Sequence, residues 1–294
     1  MPSSTVQQAY ETCRTITRRQ ARNFHYGIRL LPADRRAALS AVYALARRID
    51  DVGDGTLPAT EKLDRLGAIR AAVHELGAGR DAADPVLVAV ADAARRFPLP
   101  LPAFDELIDG VGMDVEMDRH GRRYETFDEL VGYCRCVAGS IGRLCLAIFG
   151  GHADPRGPGY ADALGIALQQ TNVLRDIRED LTHGRVYLPQ EDLRRFGVQL
   201  RLGPDGALVD DDGSLRALIR FACTRARGWY DDGLRLVPQL DRRSAACCLA
   251  MSGIYARLTE RIAADPSAAL DRRLSLSGRE KTVVAARALL GRAA

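Results

Sequence analysis

The feature that most constrains the fold is a helical hydrophobic period along nearly the whole chain. Apolar residues recur at intervals of three and four, and alanine, leucine and arginine dominate. No run of alternating β-branched residues lies between turn signals, so a sheet is not expected. With 294 residues, 47% of them hydrophobic, the chain can bury a core and still enclose a cavity. The sequence therefore predicts an all-α protein with a single domain over residues 1–294.

Prolines and capping residues mark the ends of the predicted helices. Pro32 opens a helix that we expect to run from about residue 33 to Val52, where Gly53 follows. Thr126 and Glu129 have the spacing of a capping box, which would begin the helix that carries residues 133–149. Further helices are expected at about 103–117, 160–181, 214–236 and 241–264.

Charge and cysteine content exclude several functional classes. The net charge of +4 is small and the basic residues are spread along the chain, which gives no nucleic-acid surface. The N-terminus lacks the apolar stretch of a signal peptide, and no window reaches the roughly 18 uncharged apolar residues of a membrane span. The seven cysteines lack zinc-site spacings, so we interpret them as reduced core thiols. We therefore expect a cytoplasmic protein.

Two helix faces carry aspartates together with other polar groups. On the first face, Tyr43, Arg47, Asp50 and Asp54 follow one another at i, i+4, i+7 and i+11. On the second face, the same kind of spacing joins Gln169, Asn172, Asp176 and Asp180. Like charges four residues apart repel when they are unpaired, so two such faces invite a cation.

Oxygen ligands on two facing helices suit Mg²⁺, with Mn²⁺ as the alternative ion. A bound metal ion and nearby arginines would stabilise the charge of a diphosphate leaving group as its C–O bond ionises. The opposing interpretation is that each face is a solvated surface balanced by arginines. Apolar neighbours such as Leu45, Ile49 and Val173 argue against it, because a carboxylate face on a packed helix needs partners.

Four ordered motifs resemble the squalene/phytoene synthase family. Asp50-Asp51-Val-Gly-Asp54 resembles the first D-x-x-x-D of the family, and the stretch 168–180 resembles the second. The stretch 133–142 is similar to the Y-C-x-x-V-A-G-x-x-G helix, and 24–32 resembles the substrate-entry segment. The likeness covers about residues 21–290. It implies the isoprenoid synthase fold, a helical bundle around a central cavity.

The resemblance also implies roles for the matching positions. The expected Mg²⁺ ligands are Asp50, Asp54, Asn172, Asp176 and Asp180. The expected contacts to diphosphate or prenyl chain are Asn23, Phe24, Tyr43, Arg47, Gln169, Arg175, Tyr255 and Arg273. The four aspartates and Tyr133 form the catalytic set, and Tyr133 would lie in the cavity with Asp114, where it could orient or accept a proton. Asn23 stands where relatives often carry serine, and Gln170 replaces an apolar residue.

Within the family, the sequence is most similar to bacterial presqualene diphosphate synthases of hopanoid pathways. The stretches 20–24, 46–55 and 274–281 carry this likeness. It implies a Mg²⁺-dependent farnesyl transferase that joins two farnesyl diphosphates head to head into presqualene diphosphate. NADPH is not expected, and the product would pass to downstream isoprenoid enzymes.

Several alternatives stay open at this point. A phytoene synthase that condenses two geranylgeranyl diphosphates shares every catalytic motif, and a full squalene synthase would add reduction by NADPH. From a different class, a non-catalytic relative would use the fold for lipid binding or assembly, but it should have lost metal ligands that are present here. The basic, amphipathic tail 279–290 indicates a docked terminal helix or a peripheral attachment to the inner face of the cytoplasmic membrane.

Overall fold

The structure is a computed structural model that describes residues 4–21, 23–150 and 154–291. Every regular element in these ranges is a helix, and their one β contact is an isolated bridge between Leu202 and Leu208. The predicted all-α class is confirmed.

The described residues form fourteen α-helices and two short helical segments of other types. The α-helices are α1 (Ser4–Gln20), α2 (Phe24–Ile28), α3 (Ala33–Asp54), α4 (Ala59–Gly77), α5 (Pro85–Arg96), α6 (Pro102–His120), α7 (Phe127–Cys134), α8 (Ser140–Phe149), α9 (Gly157–Thr182), α10 (Gln190–Phe196), α11 (Ser214–Gly233), α12 (Arg242–Ala264), α13 (Pro266–Asp271) and α14 (Gly278–Leu289). A π-helical segment spans Arg135–Gly139, and a 3₁₀ segment spans Leu234–Gln239.

Two long helices, α3 and α9, organise the bundle. α3 buries residues such as Leu45 and Ile49 at helical spacing and packs against α1, α5, α6 and α8. α9 buries residues such as Ala167 and Leu174 and packs against α8, α11, α12 and the π segment. Because each helix directs its apolar stripe into the bundle, its remaining faces can line a cavity.

The first aspartate helix is longer than predicted. We expected it to end at Val52, whereas α3 continues through Gly53 to Asp54. Gly53 is needed for packing rather than termination, because a Cβ there would lie 2.4 Å from a side-chain atom of Val111. Asp50 and Asp54 therefore remain on one uninterrupted helix.

The predicted capping box at the start of α7 is half formed. The Thr126 hydroxyl accepts a hydrogen bond from the Glu129 amide at 3.3 Å. The Glu129 carboxylate accepts from the Glu125 amide at 2.8 Å rather than from Thr126 itself. The helix begins where the pattern places it, at Phe127.

The helix predicted over 133–149 is interrupted by the π segment and lies unusually close to α9. A Cβ on Gly142 would be 2.3 Å from the carbonyl oxygen of Ala161. A Cβ on Gly165 would be 2.4 Å from the carbonyl oxygen of Ala138. The absence of side chains at these glycines allows the two backbones to touch, and π segments of this kind are frequent beside functional sites.

The segment Phe127–Phe149 is long and apolar enough to cross a bilayer by length and composition, and half of that window is buried in the bundle.

The C-terminal tail is a docked helix, as one of the two interpretations proposed. α14 starts with a complete capping box between Ser277 and Glu280 and packs against α12.

All seven cysteines are free and six are buried, so the prediction of reduced core thiols is consistent with the structure.

Candidate active site

An apolar cavity of about 1040 Å³ lies between α3, α8, α9 and α12. Its lining includes Phe24, Tyr43, Val137, Ala138, Ile141, Phe149, Leu164, Leu168, Leu236 and Met251. An apolar lining of this kind can hold a hydrocarbon chain away from water.

A polar pocket of about 950 Å³ adjoins this cavity. It contains Asp50, Asp54, Asp114, Asp176 and Asp180, together with Arg47, Arg175 and Arg185. The two spaces are continuous, because Arg47, Asp50, Val137, Gln169 and Asn172 line both. The structure therefore brings together the two aspartate faces that the sequence predicted.

Asp50 lies at the junction of the two spaces and forms no ion pair with any residue that the structure describes. Burial raises the pKa of its carboxyl to about 7; Arg47 opposes the shift, and Asp54 and Asp114 add to it. The Arg47 guanidinium is paired with Asp51 instead, and its buried Nε has no partner among the described residues. Asp54 is exposed, with the Nη1 of Arg185 3.5 Å from its carboxylate.

On the second face, Asp176 is held between two arginines. Its Oδ1 accepts hydrogen bonds from the Nε of Arg175 at 2.8 Å and from the Nε of Arg273 at 2.7 Å. One turn further, burial raises the pKa of Asp180 to about 7, and Asp176 contributes to the shift. Arg273 thus reaches Asp176 from the loop after α13, and its predicted contact to the substrate stays a prediction.

Asn172 and Gln169 hold each other in place. The Asn172 side-chain amide donates to Gln169 Oε1 at 3.1 Å, which leaves Asn172 Oδ1 buried without a partner in the described part of the chain. An unpaired buried oxygen is costly unless another group binds it. Its position among the aspartates makes it a natural ligand for a cation.

The residues fit a hydrated divalent cation rather than a closed metal cage. No group of three or more His, Cys, Asp or Glu side chains in the described ranges is arranged to hold one ion by itself. Mg²⁺ is usually bound by one or two carboxylates, and its other ligands are waters and substrate phosphates. Asn172 Oδ1 and the uncompensated carboxyls of Asp50 and Asp180 supply that donor set.

Asp114 is the acceptor in a hydrogen-bond network of the polar pocket. The sequence analysis placed it in the cavity but gave it no role. It accepts hydrogen bonds from the hydroxyls of Tyr133 at 3.1 Å and Tyr187 at 2.7 Å. Burial raises its pKa to about 6 despite these bonds and despite nearby Arg185. Arg185 also donates two hydrogen bonds to Asp118, at 2.7 and 2.8 Å.

The sequence analysis missed Arg185, Tyr187 and Asp118 as site residues. A signal was available, since Arg185 and Tyr187 belong to the Gly184–Pro189 stretch that follows the second aspartate motif. Asp114 and Asp118 also lie four residues apart on α6, which repeats the spacing of the other two aspartate faces.

Aromatic residues cover the cavity where α2 meets α12. The ring of Phe24 stacks on Tyr255 with centroids 5.6 Å apart and lies 6.5 Å from the ring of Tyr43. Asn23 begins α2 but lines neither the cavity nor the polar pocket, so the structure does not bring it into the site. Gln170 is buried in the core, its amide nitrogen has no hydrogen-bond partner in the described ranges, and nothing in the structure explains its presence.

Sequence comparison identifies relatives across the whole chain. The squalene/phytoene synthase family matches residues 17–280. The phytoene synthase of Mycobacterium tuberculosis is 58% identical over 284 residues, which cover 97% of this chain and 91% of that protein. The 15-cis-phytoene synthase of Synechocystis is 36% identical over 252 residues, which cover 82% of this chain and 72% of that protein.

Solved structures share the fold. A dehydrosqualene synthase superposes with a TM-score of 0.84 at 24% identity and covers 96% of both chains. The squalene synthase HpnC of Alicyclobacillus acidocaldarius superposes with a TM-score of 0.77 at 28% identity and covers 89% of this chain and 95% of its own. The expected isoprenoid synthase fold is thereby confirmed.

The expectation of a presqualene diphosphate synthase of hopanoid pathways is wrong. The relatives at 58% and 36% identity are named phytoene synthases, which favours the alternative with two geranylgeranyl diphosphates. The error arose because the motifs that suggested the family are shared by both types of enzyme and carry no information on chain length. What is confirmed is the coarser assignment, a prenyl transferase that joins isoprenoid diphosphates head to head. The chain belongs to the squalene/phytoene synthase family.

Proposed function

We propose that this protein condenses two geranylgeranyl diphosphates head to head, in a reaction of the phytoene synthase type. The observation that carries the proposal is the 58% identity, over 97% of the chain, to a protein named phytoene synthase. The apolar cavity of about 1040 Å³ beside the polar pocket supports it, because the substrate has a long hydrocarbon chain and a highly charged head.

In this proposal the diphosphates lie among the two aspartate faces and the prenyl chains occupy the cavity. Asp50, Asp54, Asn172, Asp176 and Asp180 would hold Mg²⁺, which neutralises the diphosphate as it departs. Arg47, Arg175 and Arg273 would contact the diphosphate oxygens. Arg47 lies beside Asp51, and the other two arginines lie beside Asp176. The arginines are already placed by these carboxylates, so little reorganisation is needed.

The remaining chemistry takes place in the dry cavity. Ionisation of one substrate leaves an allylic cation, and the C2–C3 double bond of the second substrate attacks it. Loss of a proton then closes a cyclopropane ring. Phe24, Val137 and Leu168 exclude water that would otherwise capture the cation. A second ionisation that ends in proton loss needs no reductant, which agrees with the expectation that NADPH is not used.

Tyr133 is suited to orienting a reactant rather than to acting as a phenolate base. Burial raises the pKa of its hydroxyl well above the usual value, so the hydroxyl stays neutral at physiological pH. Its hydroxyl donates to Asp114 at 3.1 Å, and Tyr133 lines the polar pocket. Released diphosphate is the other candidate for accepting the proton.

We expect Tyr133→Phe to lower kcat by roughly tenfold to a hundredfold with little change in KM, because it removes an oriented group and leaves the substrate pocket intact. Tyr124→Phe is the matched control, since the buried hydroxyl of Tyr124 has no partner among the described residues. That control should keep full activity and gain about 1 kcal/mol of stability. Steady-state kinetics of both variants would refute the role of Tyr133 if they lost activity equally.

The test of the proposed function is product identification. Purified protein with Mg²⁺ and geranylgeranyl diphosphate, without NADPH, is expected to form phytoene or its cyclopropyl diphosphate precursor, detected by mass spectrometry. Addition of EDTA should abolish the product. Turnover of farnesyl diphosphate alone would contradict the assigned chain length, and the absence of product from either substrate would favour a non-catalytic relative.

A further inference from the structure

A second crevice lies between α1, α2 and α3 and shares no lining residue with the cavity or the polar pocket. It contains about 630 Å³ of open space. Its floor is formed by Thr17, Ile28 and Ser40, each at most 3% exposed. The five-residue helix α2 separates the two spaces, because Phe24 lines the cavity whereas His25 lines the crevice.

The rim of this crevice is strongly basic. Arg14, Arg18, Arg29 and Arg36 line it, and Glu11 is the one acidic residue in the lining. Glu11 is already paired with Arg14. The other three arginines are paired with no carboxylate in the described ranges, whereas arginines such as Arg185 and Arg225 make two hydrogen bonds each to an aspartate.

These charges lie close enough to influence one another. The pKa of His25 is lowered by burial and, after that, by the positive charges of Arg29 and Arg18. Three uncompensated guanidinium groups around one crevice repel each other until an anion occupies the space between them. The hydroxyl of Thr15, which also lines the crevice, adds a polar group at the same place.

We propose that the crevice between α1, α2 and α3 binds a phosphate-bearing anion. Guanidinium groups match phosphate oxygens in planar, paired hydrogen bonds, and three positive charges suit a multiply charged group better than a single carboxylate. The anion is a free phosphate or diphosphate, or the phosphate of a lipid headgroup. Its binding would stabilise α2, the helix that also places Phe24 against the prenyl cavity.

The test uses inorganic diphosphate as the probe, in EDTA so that no metal ion assists binding at the aspartates. The crevice variant is Arg18→Ala/Arg29→Ala, which removes two exposed arginines that form no ion pair with a described residue. The matched control is Arg19→Ala/Arg65→Ala, which removes two exposed arginines outside the crevice and changes the net charge equally.

Isothermal titration calorimetry of the whole protein should show a diphosphate site that depends on the crevice arginines. The crevice variant should bind the probe at least tenfold more weakly, while the control should stay within about twofold of the wild type. Equal weakening in the two variants would overturn the proposal, because it would show a general effect of net charge.

A second arm distinguishes the source of the phosphate. Co-sedimentation is measured with vesicles of phosphatidylcholine, with and without phosphatidylglycerol. The site is assigned to a lipid headgroup if the wild type and the control bind anionic vesicles, the crevice variant does not, and free diphosphate is not bound. Binding in neither arm overturns the proposal. Condensation of geranylgeranyl diphosphate by the same variants separates this result from any failure of the proposed function.

Discussion

Replacing Asp50 by asparagine is expected to lower kcat/KM by about a thousandfold and, at the same time, to stabilise the metal-free protein at pH 8. Asp50 lies at the junction of the cavity and the polar pocket, where the diphosphate leaving group must be neutralised. An amide cannot supply the charged ligand that a divalent cation needs. Activity should therefore fall although the side chain keeps its size.

The gain in stability follows from the pKa of the same carboxyl. The pKa of Asp50 is about 7 in the folded protein, compared with the ordinary value of 3.8 expected in the unfolded chain. Between pH 3.8 and pH 7 the carboxyl is therefore protonated in the folded state and ionised in the unfolded state. The free energy of unfolding therefore falls as the pH rises through this interval, and the cost is complete above pH 7. Asparagine does not ionise, so the variant should be more stable by up to about 4 kcal/mol at pH 8 and nearly unchanged at pH 4.

Urea unfolding in EDTA at pH 4 and pH 8 checks this expectation, alongside steady-state kinetics in Mg²⁺. Asp34→Asn is the control, because Asp34 is exposed on the same helix and far along the chain from the site. It should change activity little and stability by no more than about 0.5 kcal/mol. If Asp50→Asn destabilised the protein at pH 8, the carboxyl would have a partner that the structure does not contain.

Gly165→Ala is expected to cost about 2–4 kcal/mol of stability and most of the activity. A Cβ at this position would lie 2.4 Å from the carbonyl oxygen of Ala138 and 2.5 Å from the Gly139 amide nitrogen. Both atoms belong to the backbone, so no side chain can rotate away. α9 and the π segment would have to separate, which would displace Asn172 and Asp176 on the same helix.

Gly159→Ala is the matched control, since a Cβ on Gly159 would meet no atom within 4 Å on the same helix α9. Alanine is favoured over glycine in helices, so this variant should gain up to about 1 kcal/mol. Urea denaturation of the two variants gives opposite signs in this account. A gain in stability for Gly165→Ala would show that the two backbones are further apart than described.

The fold was predictable from the sequence where local signals decide it. The signals at Pro32 and Thr126 placed the starts of α3 and α7 correctly, because such signals act over a few residues, whereas α1, α4 and α5 were not among the predicted helices. The end of α3 was misplaced because Gly53 does not end the helix. A glycine is needed there because Val111 on another helix leaves no room for a side chain. The π segment within 133–149 depends in the same way on contact with α9, which no local pattern records.

The candidate site was also predictable only in the part that depends on the spacing of residues within one helix. The spacing of Asp50 with Asp54, and of Asn172 with Asp180, predicted two faces that the structure places in one pocket. The hydrogen bond of Tyr187 to Asp114 could not be derived from spacing, because it joins α6 to a loop far along the chain, although the stretch 184–189 offered a signal. Substrate length was also out of reach, since it depends on apolar residues from several helices that meet deep in the cavity.

Direct competition between the two substrates tests the central claim most directly. The protein is given Mg²⁺ with equal concentrations of farnesyl and geranylgeranyl diphosphate in one tube, and the products are quantified by mass spectrometry. Each product consumes two substrate molecules, so the amounts of the C30, C40 and mixed C35 products together report the preference of the enzyme for chain length. We expect the C40 product to exceed the C30 product by roughly tenfold or more, as several additional buried methylene groups would require. A predominance of the C30 product would contradict the assignment.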